Sequence, residues 1–193
     1  ADFHGGGSSL AYRPHASTHF SPAGGPALRE RSLAAVKALG IPHVMIFESA
    51  AAGGSMSAAT RKHGKIYLNG EYGGTASVCR ESVARVDEAV RRLLAFFGAS
   101  TASFDPLPEP QVLQVFGPDA YVYASDAGVF VPAARLGDSV GRGDPCGHIY
   151  FPETPARAPV EMVFEGAGDV VCQRHPARVE RGDCLAHLAR AVT

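Results

Sequence analysis

Charge of one sign is what this 193-residue chain lacks most clearly: 18 Lys+Arg stand against 19 Asp+Glu, a net charge of −1. Without a strong field, an electrostatic binder of nucleic acid or of an anionic membrane surface is not expected. Long apolar runs are also missing. None approaches the roughly 20 residues needed to span a bilayer, so no membrane partner is expected. Four cysteines occur, Cys79, Cys146, Cys172 and Cys184, but no C-x-x-C pair. That spacing excludes finger-type zinc sites and thioredoxin-type redox chemistry. Cysteines this sparse do not form a disulfide framework, and they read as reduced thiols of a cytoplasmic protein. No basic segment followed by an apolar one opens the chain, so no signal peptide is read. An initiator Met is absent too. The chain starts Ala1-Asp2-Phe3-His4 and runs into three glycines. It reads as the end of a strand entering a site, and as part of something longer.

What is present falls into two zones. Residues up to about 100 alternate strand-like and helix-like segments, the pattern of an α/β layer structure. Leu28, Leu33, Val36 and Leu39 space a helix over 27–39, with Pro26 in its first turn and Gly40 after it. HVMIF at 43–47 is a short apolar run that predicts a buried strand, and KIYL at 65–68 predicts another. The clearest helix follows. Cys79, Val83, Val86, Val90, Leu93, Leu94 and Phe97 share one face, with Thr75 or Ser77 expected as its cap and Gly98 as its end.

Pro106, Pro108 and Pro110 mark a linker over 99–111. Beyond it, strands are predicted at 112–116, 120–124, 129–131, 148–151, 160–164 and 170–172. A weak internal echo repeats V-G-R-G-D at 140–144 as V-E-R-G-D at 179–183, each followed by a histidine-bearing strand. Two quasi-equivalent hairpin units suggest a small all-β barrel or sandwich with Gly-Asp at the bends. Lipoyl- and biotinyl-type carriers share such a pattern, but they need a lysine on a hairpin tip. The only lysines are Lys37, Lys62 and Lys65, all in the first zone.

Three places can carry chemistry. His4, at a strand end before Gly5-Gly6-Gly7, leaves backbone free to approach a ligand, and neutral imidazole is a good zinc ligand. Asp2 is a candidate to orient its ring through the other nitrogen. A flexible glycine turn with an incidental histidine is the competing reading. Glu71, in N-G-E-Y-G-G after an apolar strand, sits where α/β proteins place active sites and can serve as general base. An exposed turn glutamate is its bland alternative. Arg61, in the basic run Thr60-Arg61-Lys62-His63, can hold a carboxylate in a bidentate contact, or can simply be a solvated helix end. His15 and His19, four apart, read as pocket or loop residues rather than a helical metal pair. His148, His175 and His187 read as structural.

The order D-F-H-G-G-G, R-P-H-A-S-T-H-F, an apolar strand, G-K-I-Y-L-N-G-E-Y-G-G and a long amphipathic helix resembles the C-terminal part of the succinylglutamate desuccinylase/aspartoacylase family. The bacterial branch that includes N-acetyl-diaminobutyrate deacetylases is most similar. The resemblance implies a zinc-carboxypeptidase-like mixed sheet with helices over residues 1–104, here partial, then a small β-rich domain over 105–193. It implies a zinc-dependent deacylase that removes an acyl group from a small N-acyl amino acid. On the family's pattern His4 matches the third zinc ligand and Glu71 the general base. Arg61, ten residues before Glu71 in the same T-R context, matches a substrate-binding arginine.

The departure is the family's H-x-x-E motif, which supplies the other two zinc ligands and occurs nowhere in this chain. A catalytic zinc takes three protein ligands, so this chain alone is expected to hold the metal poorly and to be inactive. Two other readings stay open. One is a non-catalytic binding or assembly module that kept the fold without the metal site. The other is a peptide-cleaving zinc carboxypeptidase. Exposed sheet edges allow a homo-oligomer.

Overall fold

The computed structural model describes residues 1–20, 24–47 and 55–192; of Arg61 it describes the backbone and not the side chain. In chain order the elements are β1 (Asp2–His4), β2 (Leu10–Tyr12), β3 (His15–His19), α1 (Gly25–Ala38), β4 (His43–Phe47), α2 (Met56–Lys62), β5 (Leu68–Glu71) and α3 (Arg80–Phe96). Then come β6 (Gln111–Gln114), β7 (Tyr121–Tyr123), β8 (Gly128–Pro132), β9 (Ser139–Val140), β10 (Pro145–Tyr150), β11 (Val160–Val163), β12 (Gly168–Arg174), β13 (Arg178–Val179) and β14 (Cys184–Ala191).

The fold is mixed α/β, as the sequence implies. Among the described residues ten strands share one sheet, in the order β1-β5-β3-β4-β6-β14-β12-β2, with β7 beside β14 and β9 beside β12. The β1–β5, β3–β4 and β4–β6 pairs are parallel; β5–β3 and every pair from β6 to β2 are antiparallel. β1 and β2 are neighbours in sequence but lie at opposite ends of this order. A bridge between Ala11 and Gly74 joins β2 back to the loop after β5. The sheet therefore curls, and one of its faces is turned inward on itself. A second sheet, β11-β10-β8-β13, is wholly antiparallel and closes the β-rich part.

Alternation along each strand decides what each face meets. Ala16, Val44 and Leu68 point to one side and bury against Ala35, Val36 and Leu39 of α1 and Ala89 of α3. Met45 and Leu113 point to the other and pack with Val171 and Ala189, joining the first zone to the β-rich part. Pattern reading misses β2, and it misses β3 because its HASTH sequence has no apolar run. Its polar side chains are satisfied across the sheet instead: Ser17 donates to Asn69 Oδ1, and Thr18 donates to the Tyr67 carbonyl at 2.9 Å. His15 and His19 thus lie on a strand. Four apart, they share its face.

The echoed R-G-D segments form matching turns. Gly141 N–H donates to Asp144 Oδ2 at 2.7 Å, and Glu180 N–H donates to Asp183 Oδ2 at 2.8 Å. The start of α3 differs from expectation: Cys79 is its cap and accepts from the Ser82 N–H through sulfur, while Thr75 and Ser77 bond each other in the preceding turn. The strand expected at 65–68 begins at Leu68, because pairing with β3 sets its register.

Candidate active site

Two cross-strand rows form the floor of the inward face. β1 and β5 pair His4 with Glu71 and Asp2 with Asn69; β5 and β3 pair Glu71 with His15 and Asn69 with Ser17. Register-matched residues share a side, so His4, Glu71 and His15 line up beside Asp2, Asn69 and Ser17. Sequence separation hides this assembly; strand register creates it.

Glu71 ends β5 and is 15% exposed. Its Oε1 lies 3.0 Å from Nδ1 of the half-exposed His4, while its Oε2 is buried with no hydrogen-bond partner. Burial pushes the Glu71 carboxyl above the ordinary glutamate range, and the His4 ring beside it partly offsets this. A carboxylate whose pKa is raised this way is a stronger base than an ordinary glutamate, which suits it to take up a proton and return it. With Nδ1 of His4 donating to Glu71, Nε2 carries the free lone pair. Asp2 Oδ2 stands 4.0 Å from Nε2, so Glu71 rather than Asp2 is the nearer partner of the ring.

Glycine lets the two loops at this corner interlock. Gly73 C=O accepts from both the Gly6 and Tyr12 N–H groups at 3.2 Å, and the Tyr72 N–H donates to the His4 carbonyl at 2.9 Å. A Cβ on Gly74, whose φ is +149°, would stand 1.9 Å from the Leu10 carbonyl oxygen. Only glycine admits that approach.

The β-rich part supplies the opposite wall, which sequence reading did not assemble. Tyr12 pairs with Cys172, Cys172 with His187, and His187 with Tyr121, a row crossing β2, β12, β14 and β7. Tyr12 hydrogen-bonds Cys172 and lies 5.7 Å, ring to ring, from His15. The His187 ring stacks on Tyr121 at 4.3 Å and 7°. Burial pushes His15 and His187 down to about 4, and each also feels neighbouring histidines: His43 and His4 act on His15, and His15 acts on His187. Both rings are neutral at pH 7. His187, read from sequence as structural, belongs to this wall. Its signal is the register of β14, which no local motif carries. Arg61 lies in α2, upstream of β5; its side chain falls outside the described residues.

Among the described residues, no three His, Cys, Asp or Glu side chains come together as a metal-binding group. His4 offers one imidazole, and the buried Oε2 of Glu71 one unsatisfied oxygen. These do not fit a catalytic zinc, which needs three protein ligands. A cleft of about 570 Å³ lies under Phe3 and Tyr72; His4 lines it and Glu71 does not.

The family model of the succinylglutamate desuccinylase/aspartoacylase catalytic domain matches residues 1–97. The chain belongs to this family. It is 29% identical over 192 residues to an N-alpha-acetyl-L-2,4-diaminobutyric acid deacetylase of Halomonas elongata; the match covers 99% of the chain and 56% of that relative. The product-bound ectoine utilization protein EutE (DoeB) of Ruegeria pomeroyi superposes with a TM-score of 0.89 at 28% identity, over 98% of the chain and 57% of that structure. A succinylglutamate desuccinylase/aspartoacylase of Rhodobacter sphaeroides gives a TM-score of 0.85 at 30% identity, over 99% and 57%. The chain thus spans little more than half the length of these relatives. Its homologues are hydrolases of the deacylase type.

Proposed function

We propose that the chain is the part of a zinc-dependent amidohydrolase that carries the general base, and that the intact protein removes an acyl group from a small N-acyl amino acid. The observation that carries this is Glu71, largely shielded, raised in pKa and bonded to His4 at the end of a family-matched strand. In this reading Glu71 takes a proton from the water that attacks the acyl carbonyl. It then passes that proton to the amine nitrogen as the C–N bond breaks. His4 serves as one zinc ligand, and Arg61 holds the substrate carboxylate. The remaining ligands come from outside the described residues, and residues 1–193 alone are inactive. Residues 1–104 form the catalytic part and 105–193 the β-rich domain; the end of the family match at residue 97 and the following prolines support that boundary. A cytoplasmic location agrees with four unpaired cysteines. Among the described residues no helix is long and apolar enough to cross a membrane.

The test is Glu71→Gln in a protein that carries the whole catalytic domain, assayed on N-acetyl and N-succinyl amino acids. Retained zinc with lost turnover supports the assignment. Near-normal turnover removes Glu71 from the mechanism. A wild-type protein that binds zinc but hydrolyses no N-acyl amino acid favours a binding module.

A further inference from the structure

His187, on β14, is 4% exposed, and its Nε2 is buried with no hydrogen-bond partner. A buried polar atom in that state is uncommon in a folded chain and calls for a functional account. The stack on Tyr121 at 4.3 Å holds the plane of the ring, so the wall sets the direction of that nitrogen. Across the inward face stands His15, 3% exposed and the register partner of Glu71. Its Nδ1 lies 2.9 Å from the Arg13 carbonyl, which only accepts. Nδ1 therefore carries the proton and Nε2 the lone pair. His15 acts electrostatically on His187. Tyr12 joins the cluster, its ring 5.7 Å from His15 and its hydroxyl bonded to Cys172.

The cluster is uncharged at pH 7. Burial pushes the Tyr12 hydroxyl and the Cys172 thiol up and both imidazoles down. Among the described residues no arginine or lysine acts on either imidazole, and the carboxylate that Tyr12 feels is Glu71. A second carboxylate brought here would meet a fixed acceptor on His15, a negative Glu71 and no counter-ion. It would also lose its hydration. A hydroxyl or N–H group meets the reverse. It donates to His15, and the neutral His187 ring answers as donor or acceptor.

We infer that His15 and His187 are specificity-determining residues. Together they take a hydrogen-bond-donating group, O–H or N–H, on the side chain of the substrate's amino-acid part, and they turn away a second carboxylate there. This rests on the proposed hydrolase for its substrate and on the cluster for its chemistry. In that reading Arg61 holds the α-carboxylate, Glu71 reacts, and the two histidines read the side chain.

The test uses a protein that carries the whole catalytic domain. The N-acetyl derivatives of 2-aminobutyrate, homoserine, asparagine, 2,4-diaminobutyrate and aspartate share one chain length and differ in the terminal group. The kcat/KM for the homoserine derivative is expected to exceed that for 2-aminobutyrate by at least about tenfold, with aspartate below both. Homoserine, asparagine and diaminobutyrate separate hydroxyl, amide and ammonium donors. His187→Phe keeps a ring to stack on Tyr121 and removes the nitrogens. It is expected to bring the homoserine-to-2-aminobutyrate ratio to about one, mainly through KM. A ratio that stays at the wild-type value, or a preference for aspartate, overturns the inference.

The wild-type protein gives a second readout that needs neither the variant nor turnover. Added homoserine is expected to shift the NMR resonances of the Nε2 atoms of His15 and His187 in protein with isotope-labelled histidines. Rings that stay unmoved at saturating homoserine overturn the inference even if the N-acetyl derivative is hydrolysed, and the hydrolase reading then stands without them. Rings that shift in a protein that hydrolyses nothing keep the two-histidine site and remove the hydrolase reading.

Discussion

His4 Nδ1 and Glu71 Oε1 meet at 3.0 Å across the parallel β1–β5 pair, where backbone register places the two residues side by side. Register fixes this contact more firmly than a loop would, and the second glutamate oxygen stays buried and free. If Glu71 is the base, it works only when ionised, and burial has raised its pKa. The acid limb of kcat/KM in the intact enzyme should then lie above the ordinary glutamate range. Turnover should rise with pH through that limb. Glu71→Gln should lower kcat by about 10²- to 10⁴-fold and abolish the limb. A pH–rate profile with metal content measured in parallel checks both.

His15 and His187 make an acid-labile pair. Each has a folded pKa of about 4, below the ordinary 6.5, with burial the first cause. The unfolded chain therefore binds protons that the folded chain refuses. Stability is fully present above about pH 6.5 and is lost as pH falls toward 4. Between pH 7 and pH 5 the loss should be on the order of 2 kcal/mol for each ring. Urea unfolding at the two pH values measures it, and His187→Phe should remove about half of the difference.

Much of this fold is legible where one signal acts alone. The HVMIF run is β4 residue for residue, Gly98 follows α3, and the two R-G-D segments turn as their Gly-Asp pairs demand. What escapes reading is decided across the sheet. β3 is polar and survives because Asn69 and the Tyr67 carbonyl answer Ser17 and Thr18. The echo predicts a histidine-bearing strand after the second R-G-D, and β14 is that strand; its alanine-rich sequence has low strand propensity, and it holds because β12, β7 and β6 all pair with it. The same holds at the candidate site. His4 and Glu71 each announce themselves beside glycines, whereas the Tyr12–Cys172–His187–Tyr121 row exists only through register. The width of the α3 stripe was visible in sequence; that Val83, Val90, Leu94 and Phe97 would face outward was not.

Gly74 should be among the least replaceable residues of the loop after β5. An added Cβ would collide with the Leu10 carbonyl at 1.9 Å, and backbone cannot swing away as a flexible side chain can. Gly74→Ala should cost about 2–4 kcal/mol. Gly7 is the control. Its φ is +61°, but a Cβ there meets nothing within 4 Å, so Gly7→Ala should cost only about 1 kcal/mol. Thermal melts of the two variants separate collision from backbone preference.

The two echoed turns should respond unequally to the same change. Asp144 bonds the Gly141 N–H and does little else, so Asp144→Ala should cost about 1 kcal/mol. Asp183 bonds the Glu180 N–H in the same way, but it also pairs with Arg174 at 2.8 Å. The Arg174 side chain is only 12% exposed, and its Nε already lacks a partner. Asp183→Ala removes its neutralising charge and leaves a largely buried guanidinium uncompensated, which should raise the cost to about 3 kcal/mol. Arg174→Met in the Asp183→Ala background should then recover stability, because the stranded charge leaves with the arginine. Urea midpoints of the three variants decide it: equal losses for Asp144→Ala and Asp183→Ala, or no recovery in the double variant, would show that the Arg174 pair contributes nothing beyond the turn.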